Sequence, residues 1–326
     1  MPLIHITEEE IRRHVGFPIV LEAIERAFLA FDGGNSAVFD VVRGTGTNPD
    51  HFFAIKSGRD SSIPLIGLKA GSYNPPNLAR GMPAHTSTTL LFDDSTGAPI
   101  AVVDANYLNG MRTASADAAA VRRLAREDAR TLGVVGFGAQ AVFEIEAVLH
   151  VRRIERVVVA GRSPEQFDKF AEAVKLRTGS EIEMASIEDV TRMSDILVTV
   201  TGATAPIIRR EWIKAGTHVS AMGADNVGKQ ELDPLILRDA AVYIDAMPQA
   251  AIIGECQHAV AVGFLDRAAL AEQTLGGLIS GRIAGRTSDE MITVIDSSGI
   301  AVQDIAAGYA AMSTVLAARG MPLGSA

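Results

Sequence analysis

Residues 131–163 read TLGVVGFGAQAVFEIEAVLHVRRIERVVVAGRS, and the fold turns on this stretch. The apolar run TLGVV enters a glycine turn at Gly136-Phe137-Gly138. AQAVFEIEAVLHV then has the length and composition of a helix, and RVVVA is a second strand. Gly136-Phe137-Gly138-Ala139-Gln140-Ala141 is a G-x-G-x-x-A sequence. Alone it says little in a chain with 30 glycines. Between an apolar strand and a helix, with another strand about twenty residues on, it reads as a dinucleotide fingerprint. Gly136 permits the tight turn and Gly138 lets backbone approach a pyrophosphate. Ala141 keeps helix and strand close, and the helix N-terminus faces the phosphates. The second strand ends Ala160-Gly161-Arg162-Ser163, without the Asp or Glu that usually binds the ribose diol of NAD. Arg162 and Ser163 suit a 2′-phosphate, favouring NADPH within an NAD(P)H reading; alternatively Arg162 is solvated or stacks on adenine.

Outward from this core the strand–helix alternation continues through PEQFDKFAEAVKL, SDILVTVT, THVSAMG and AAVYIDA. Alternation of this kind predicts a parallel sheet with helices on both faces. Upstream, residues 38–104 change to short β-branched runs broken by turns: FDVVRG, HFFAIK, PLIGLKAGSY, HTSTTLLFD and PIAVVD, with DDSTGAP a strong turn signal. This predicts a mainly antiparallel sheet. The first ~35 residues read as helical. Thr7 and Glu10 form a capping-box pattern, and Ile19, Val20, Ala23, Ile24, Phe28 and Leu29 follow helical spacing. An Ala-rich helix is expected at 105–126, and the tail GIAVQDIAAGYAAMSTVLAAR returns to helix. The predicted fold class is α/β: a doubly wound parallel sheet at 119–302, plus an α+β domain of residues 1–118 completed by 303–326.

The chain has 326 residues, long enough for two domains with ample cores. Thirty basic against 39 acidic residues give a net charge of −9. Nucleic acid is therefore not expected as a partner, since phosphate binding needs a basic field. Cys256 is the only cysteine, which excludes an intramolecular disulfide and a Cys-based zinc cage. No HExxH occurs and the seven histidines are scattered, so no metal site is expected. MPLIHITEEEIRRHV lacks a signal pattern and no apolar run approaches ~18 residues. A cytoplasmic protein without a membrane partner is expected.

Several cations in the antiparallel region are hard to explain as packing. Lys69 lies inside an apolar strand, Arg43 ends VVR, Lys56 ends FFAIK, His85 opens HTSTTLLFD, and Arg112 heads the Ala-rich helix. Together they suggest a cationic pocket for an anion.

With GLKAG, LLFDDSTGAPIAVVDA, MRTASADAAAVRRLAREDA, VVGFGAQA, MGADNVGKQELDP and DSSGIAVQDIA, the chain resembles the ornithine cyclodeaminase/mu-crystallin family over essentially its full length. The resemblance implies a Rossmann domain beside a substrate-binding, dimerising domain built from both chain ends, and hence a homodimer. It implies that Arg43 and Arg112 hold a substrate α-carboxylate, with Lys69 beside it and the reacting carbon. Asp225 would handle the substrate nitrogen. The cofactor would meet Arg112, Thr113, Gly136, Gly138, Ala139, Gln140, Arg162, Ser163, Thr201, Met222, Gly223 and Gly299. Lys69 could instead belong to a buried structural ion pair, and Asp225 could be a turn residue.

The family includes ornithine cyclodeaminases, imine reductases and crystallin-like binding proteins. Cyclodeaminases carry a glutamate on the HFFAIK strand, where this chain has Lys56. A cation there suits a second carboxylate, held by Lys56 and His85. This strand, HTST, GKQELDP and GECQHA look most like the iminosuccinate reductase branch, which makes L-aspartate. The expected substrate is thus a small anionic imino or keto acid. Ornithine cyclodeamination and other ketimine or cyclic-imine reduction stand as alternatives, as does a mu-crystallin-like NADPH-binding protein. Cys256 and His258, at i and i+2, do not share a helical face, and Cys256 is expected to pack.

Overall fold

The computed structural model describes residues 3–48 and 51–321; residues 322–326, part of the tail expected to complete the first domain, lie outside it. The chain forms two compact units. One combines Met1–Ser115 with Ile300–Ala326, and the other is Ala116–Gly299.

The first unit opens with a departure from the helical reading of the N-terminus. Ile4–Ile6 is a short strand, β1, before helices α1 (Glu8–His14) and α2 (Phe17–Asp32). Three residues are too few for any periodicity to show. Thr7 does cap α1: its hydroxyl accepts from Glu10 N, and the Glu10 carboxylate accepts from Thr7 N. α2 buries Val20, Ala23, Ile24 and Phe28, whereas Ile19 and Leu29 are exposed.

Strands β2 (Ser36–Val38), β3 (Val42–Thr45), β4 (Phe52–Asp60), β5 (Leu65–Tyr73), β6 (His85–Asp93) and β7 (Pro99–Asp104) follow, then helix α3 (Asn106–Leu124). The sheet order is β1-β7-β6-β5-β4-β2, with β3 also on β4. All pairs are antiparallel except β1 with β7. The turn between β6 and β7 is held by the Asp93 carboxylate, which accepts from Ser95 Oγ and Thr96 N.

The second unit contains β8 (Thr131–Val135), α4 (Ala139–Val151), β9 (Arg156–Ala160), α5 (Phe167–Thr178), β10 (Glu183–Met184), α6 (Ile187–Met193) and β11 (Ile196–Thr199). Then come β12 (Thr204–Ile208), β13 (His218–Ala221), β14 (Gln230–Leu232), α7 (Pro234–Asp239), β15 (Ala241–Ile244) and α8 (Cys256–Ala261). Short helices α9 (Arg267–Glu272) and α10 (Leu275–Ser280) precede β16 (Thr293–Asp296). Its main sheet is wholly parallel, in the order β10-β9-β8-β11-β13-β16-β15. This is the doubly wound Rossmann arrangement expected. β16 is an addition: only four residues long, it was not separable from the DSSG turn that follows it.

The strands are apolar on both faces because helices cover both. Leu132, Val134, Val157, Val159, Ile196 and Val198 pack with Ile145, Val148, Phe170 and Val174 of α4 and α5. The alternate residues Val158, Leu197, Val219 and Val294 pack with Val190, Ile236, Leu237 and Ala259 on the other side. No helix among the described residues is long and apolar enough to cross a membrane.

Helix α11 (Ala301–Ala318) belongs to the first unit, where it lies on α2 and on strands β4 to β6. Gly67 permits this: a Cβ there would stand 2.9 Å from Ile305 Cγ1.

Candidate functional site

In an antiparallel pair, residues directly opposite each other project to the same face. Arg43 is opposite Ala54, Lys56 opposite Lys69, Gly71 opposite Ser87, and Tyr73 opposite His85. By the two-residue period, Arg43, Lys56, Lys69 and His85 therefore share one face of the sheet, the face on which α11 packs. Ala54, Gly71 and Ser87 form a floor of small residues between them. His85 Nε2 lies only 3.6 Å from the place a Gly71 Cβ would occupy. Arg43 sits on an exposed strand with its guanidinium 5.9 Å from the Phe52 ring centroid.

At the buried end of this face is a compact polar cluster. Lys69 is 6% exposed and Arg112 is 7% exposed. Lys69 Nζ donates to Asn109 Oδ1 at 2.7 Å and to Asp304 Oδ1 at 2.8 Å. Arg112 places Nε 2.9 Å from the same Asp304 oxygen. Its Nη2 donates to Asn109 Oδ1 and its Nη1 to Gln303 Oε1, which also accepts from Ile300 N. Lys69 thus is in a buried ion pair, as one reading of the sequence allowed. That pair does not neutralise the cluster, since two cations share one carboxylate. Burial, reinforced by the adjacent Arg112 charge and opposed by Asp304, brings the Lys69 ammonium down to about 7. Ser87 Oγ and Gln303 Nε2 are buried without a protein hydrogen-bond partner. A buried excess of positive charge with spare polar groups suits an anion carrying several acceptor oxygens. Thr113, one turn beyond Asn109, spends its hydroxyl on the Asn109 carbonyl.

In the second unit, the residues expected at the cofactor follow the carboxyl ends of parallel strands: Gly136 to Gln140 after β8, Arg162 and Ser163 after β9, Thr201 after β11, Met222 and Gly223 after β13, and Gly299 after β16. The strand order reverses about β8, with β9 on one side and β11 on the other. Open α/β sheets bind ligands in the crevice at such a point. Gly136 has φ +131°, and a Cβ there would be 2.7 Å from the Val200 carbonyl. Gly138 is the N-cap of α4 and has no side-chain cap; a Cβ there would meet no protein atom within 4 Å. Backbone facing open space at a helix N-terminus fits a dinucleotide pyrophosphate. A Gly138→Ala variant should therefore keep its melting temperature within about 2 °C while binding NAD(H) at least about tenfold more weakly. Calorimetry and isothermal titration measure both, and unchanged affinity would remove Gly138 from the site.

The loops at this end are held by buried carboxylates. Glu231 accepts four hydrogen bonds: Thr201 N at 2.6 Å, Thr201 Oγ1 at 2.7 Å, Thr199 Oγ1 at 2.8 Å and Gly223 N at 3.0 Å. Glu255 accepts from Glu231 N and Leu232 N. Burial pushes Glu255 up to about 8, against those backbone hydrogen bonds. Asp245 accepts from Gly299 N at 2.5 Å.

Asp225 is exposed, and its carboxylate pairs with Lys229 Nζ at 2.6 Å. Its loop is latched from α8. Gln257 donates to the Asn226 and Lys229 carbonyls and accepts from Gly228 N, while His258 Nε2 lies 3.0 Å from the Lys229 carbonyl. His258 is thus occupied with the loop. Cys256 is fully buried in the core, its thiol pushed well up by burial and by Asp296 beside it. The GECQHA segment braces loops.

Asn109, Gln303, Asp304, Glu231, Glu255 and Lys229 were not singled out from the sequence. The available signal was polarity out of place: Gln303-Asp304 interrupts an otherwise apolar helix, and Asn109 stands one turn before Arg112.

A family model described as the ornithine cyclodeaminase/mu-crystallin family matches residues 5–316. The iminosuccinate reductase of Paracoccus denitrificans is 35% identical over 305 residues, covering 94% of each chain. The crystal structure of that reductase with NAD+ superposes with a TM-score of 0.88 at 33% identity, over 98% of each chain. An archaeal alanine dehydrogenase dimer with bound NAD gives a TM-score of 0.90 at 31% identity, over 98% of each chain. The Δ1-pyrroline-2-carboxylate reductase of Thermococcus litoralis, in complex with NADH and L-proline, gives 0.92 at 27% identity, over 98% of this chain and 99% of the other.

Proposed function

Since the chain belongs to the ornithine cyclodeaminase/mu-crystallin family, we propose that it is an NAD(P)H-dependent imine reductase forming an L-amino acid, and that its substrate is iminosuccinate, reduced to L-aspartate. The observation that carries the substrate is the single face on which Arg43, Lys56, Lys69 and His85 converge with the buried Arg112.

In this reading Arg112 and Arg43 take the α-carboxylate. Lys69, with two N–H groups engaged by Asn109 and Asp304, has its third for the same carboxylate. Lys56 and His85 take the distal carboxylate. Asp225 accepts the hydrogen bonds of the protonated imine nitrogen and stabilises its charge. In this reading the imine nitrogen takes the place that Lys229 Nζ holds on the Asp225 carboxylate. Gly136, Gly138, Ala139, Gln140, Thr201, Met222, Gly223 and Gly299 would hold the nicotinamide dinucleotide, which when bound supplies the hydride. Exposed Arg162 and half-buried Ser163 favour NADPH, since the segment Gly161-Arg162-Ser163 directly after β9 has no acid for a ribose diol.

The deciding assay is oxidation of NADPH, and separately NADH, with oxaloacetate and concentrated ammonia, set beside pyruvate with ammonia and ornithine alone. Aspartate should form faster than alanine, and Lys56→Ala should raise KM for the dicarboxylate about tenfold or more while leaving the monocarboxylate nearly unchanged. Equal effects on both would sink the distal-carboxylate assignment, and proline with ammonia from ornithine would establish cyclodeamination instead.

A homodimer belongs to the same proposal. The sheet face opposite α11 carries exposed Phe53 and half-buried Ile55, Leu68, Leu90 and Phe92. An apolar sheet face of this kind seeks a partner surface. Sedimentation velocity should give about twice 34.4 kDa; a monomer at micromolar concentration would contradict it.

A further inference from the structure

We propose that Asp304, on α11, is a positioning residue of the anion site: its single oxygen Oδ1 holds the Lys69 ammonium at 2.8 Å and the Arg112 guanidinium at 2.9 Å, and so keeps the proton on Lys69. The assignment deepens the reductase reading, and only its kinetic arm depends on that reading.

The argument begins with an electrostatic conflict. Lys69 and Arg112 are both buried, share Asn109 Oδ1 as an acceptor, and repel each other. Lys56, directly across the strand pair, adds a third positive charge to the same face. In such surroundings a lysine sheds its proton before an arginine does, because guanidinium holds its proton far more firmly. A neutral Lys69 would lose its charge-assisted bond to a carboxylate. Among the groups around it, Lys56 and Arg112 work against the ammonium, Asn109 is neutral, and Asp304 supplies the opposing charge. Burial alone would raise the Asp304 carboxyl, yet Arg112 and Lys69 outweigh it and hold Asp304 below the usual range. The carboxylate is therefore ionised where the ammonium needs it. Its other oxygen, Oδ2, is buried with no hydrogen-bond partner, so the group is held by its cations alone. α11 brings it there: the helix is buried on nearly every side, and Gln303, the preceding residue, ties Arg112 to the helix start through Ile300 N.

The test follows the proton directly. The 13Cε shift of Lys69, assigned by its absence in Lys69→Met, should titrate near 7 in the wild-type protein. In Asp304→Asn, which keeps the side-chain shape, the midpoint should fall by about one pH unit or more, and Asp304→Glu should restore most of it. The alkaline limb of the kcat/KM profile should move the same way, with about a tenfold loss at pH 7.5. A midpoint unchanged in a folded Asp304→Asn protein would overturn the proposal. A moved midpoint in a protein that reduces none of the imines would uphold Asp304 and reject the reductase reading.

Discussion

Replacing Lys69 with methionine is expected to lower kcat/KM for the imine by about a thousandfold while leaving the melting temperature unchanged or higher. The two halves have one cause. Burial and the Arg112 charge bring Lys69 from 10.5 to about 7, and each pH unit of that depression corresponds to about 1.4 kcal/mol. Keeping the ammonium buried therefore costs folding on the order of a few kcal/mol. Methionine of similar length removes that cost, and Asp304 keeps Arg112 as its partner. The sign can be checked against pH. Between about 7 and 10.5 the folded lysine has lost its proton and the unfolded one has not, so this group makes stability rise with pH in that window. Lys69→Met should flatten the rise. Thermal denaturation from pH 6.5 to 10 measures it, and a variant several degrees less stable than wild type would show Lys69 to be structural.

The second large effect concerns Glu231. Glu231→Ala takes one acceptor group from Thr199 Oγ1, Thr201 N, Thr201 Oγ1 and Gly223 N at once. Each buried donor left unpaired costs about 1–3 kcal/mol, less where water enters the space. A loss of about 4 kcal/mol, or roughly 10 °C in melting temperature, is expected. Cofactor affinity should fall with it, by about tenfold or more, because one carboxylate fixes the loops after β11 and β13 together. Glu231→Gln, which keeps an acceptor oxygen, should recover part of both. A drop in stability with unaltered NAD(H) affinity would separate the two roles.

The parallel sheet was legible in the sequence because its physics is local. Continuous apolar strands, a glycine turn and a thirteen-residue helix at residues 139–151 follow one another without interruption. β16 and β1 were not legible, being four and three residues long and stabilised by neighbours distant in sequence. The cations of the first sheet stood out because charge inside apolar strands is costly. Their single face became visible only with the register. Asp304 and Glu231 escaped notice for a related reason: an acid in a helix or short strand looks solvated until its partners, 235 and 30 residues away, are known.

The first unit is discontinuous, and that has a consequence for biosynthesis. Its sheet leaves the ribosome early, but α11, which covers that sheet and carries Asp304, is made only after Ala116–Gly299. The intervening Ala116–Gly299 is a continuous unit with its own cores, and can fold while the nascent sheet still awaits its helix. A chain interrupted before Ile300 would therefore carry an intact parallel-sheet unit and a first sheet without its covering helix. Translation order thus makes the first unit the last of the two to be completed.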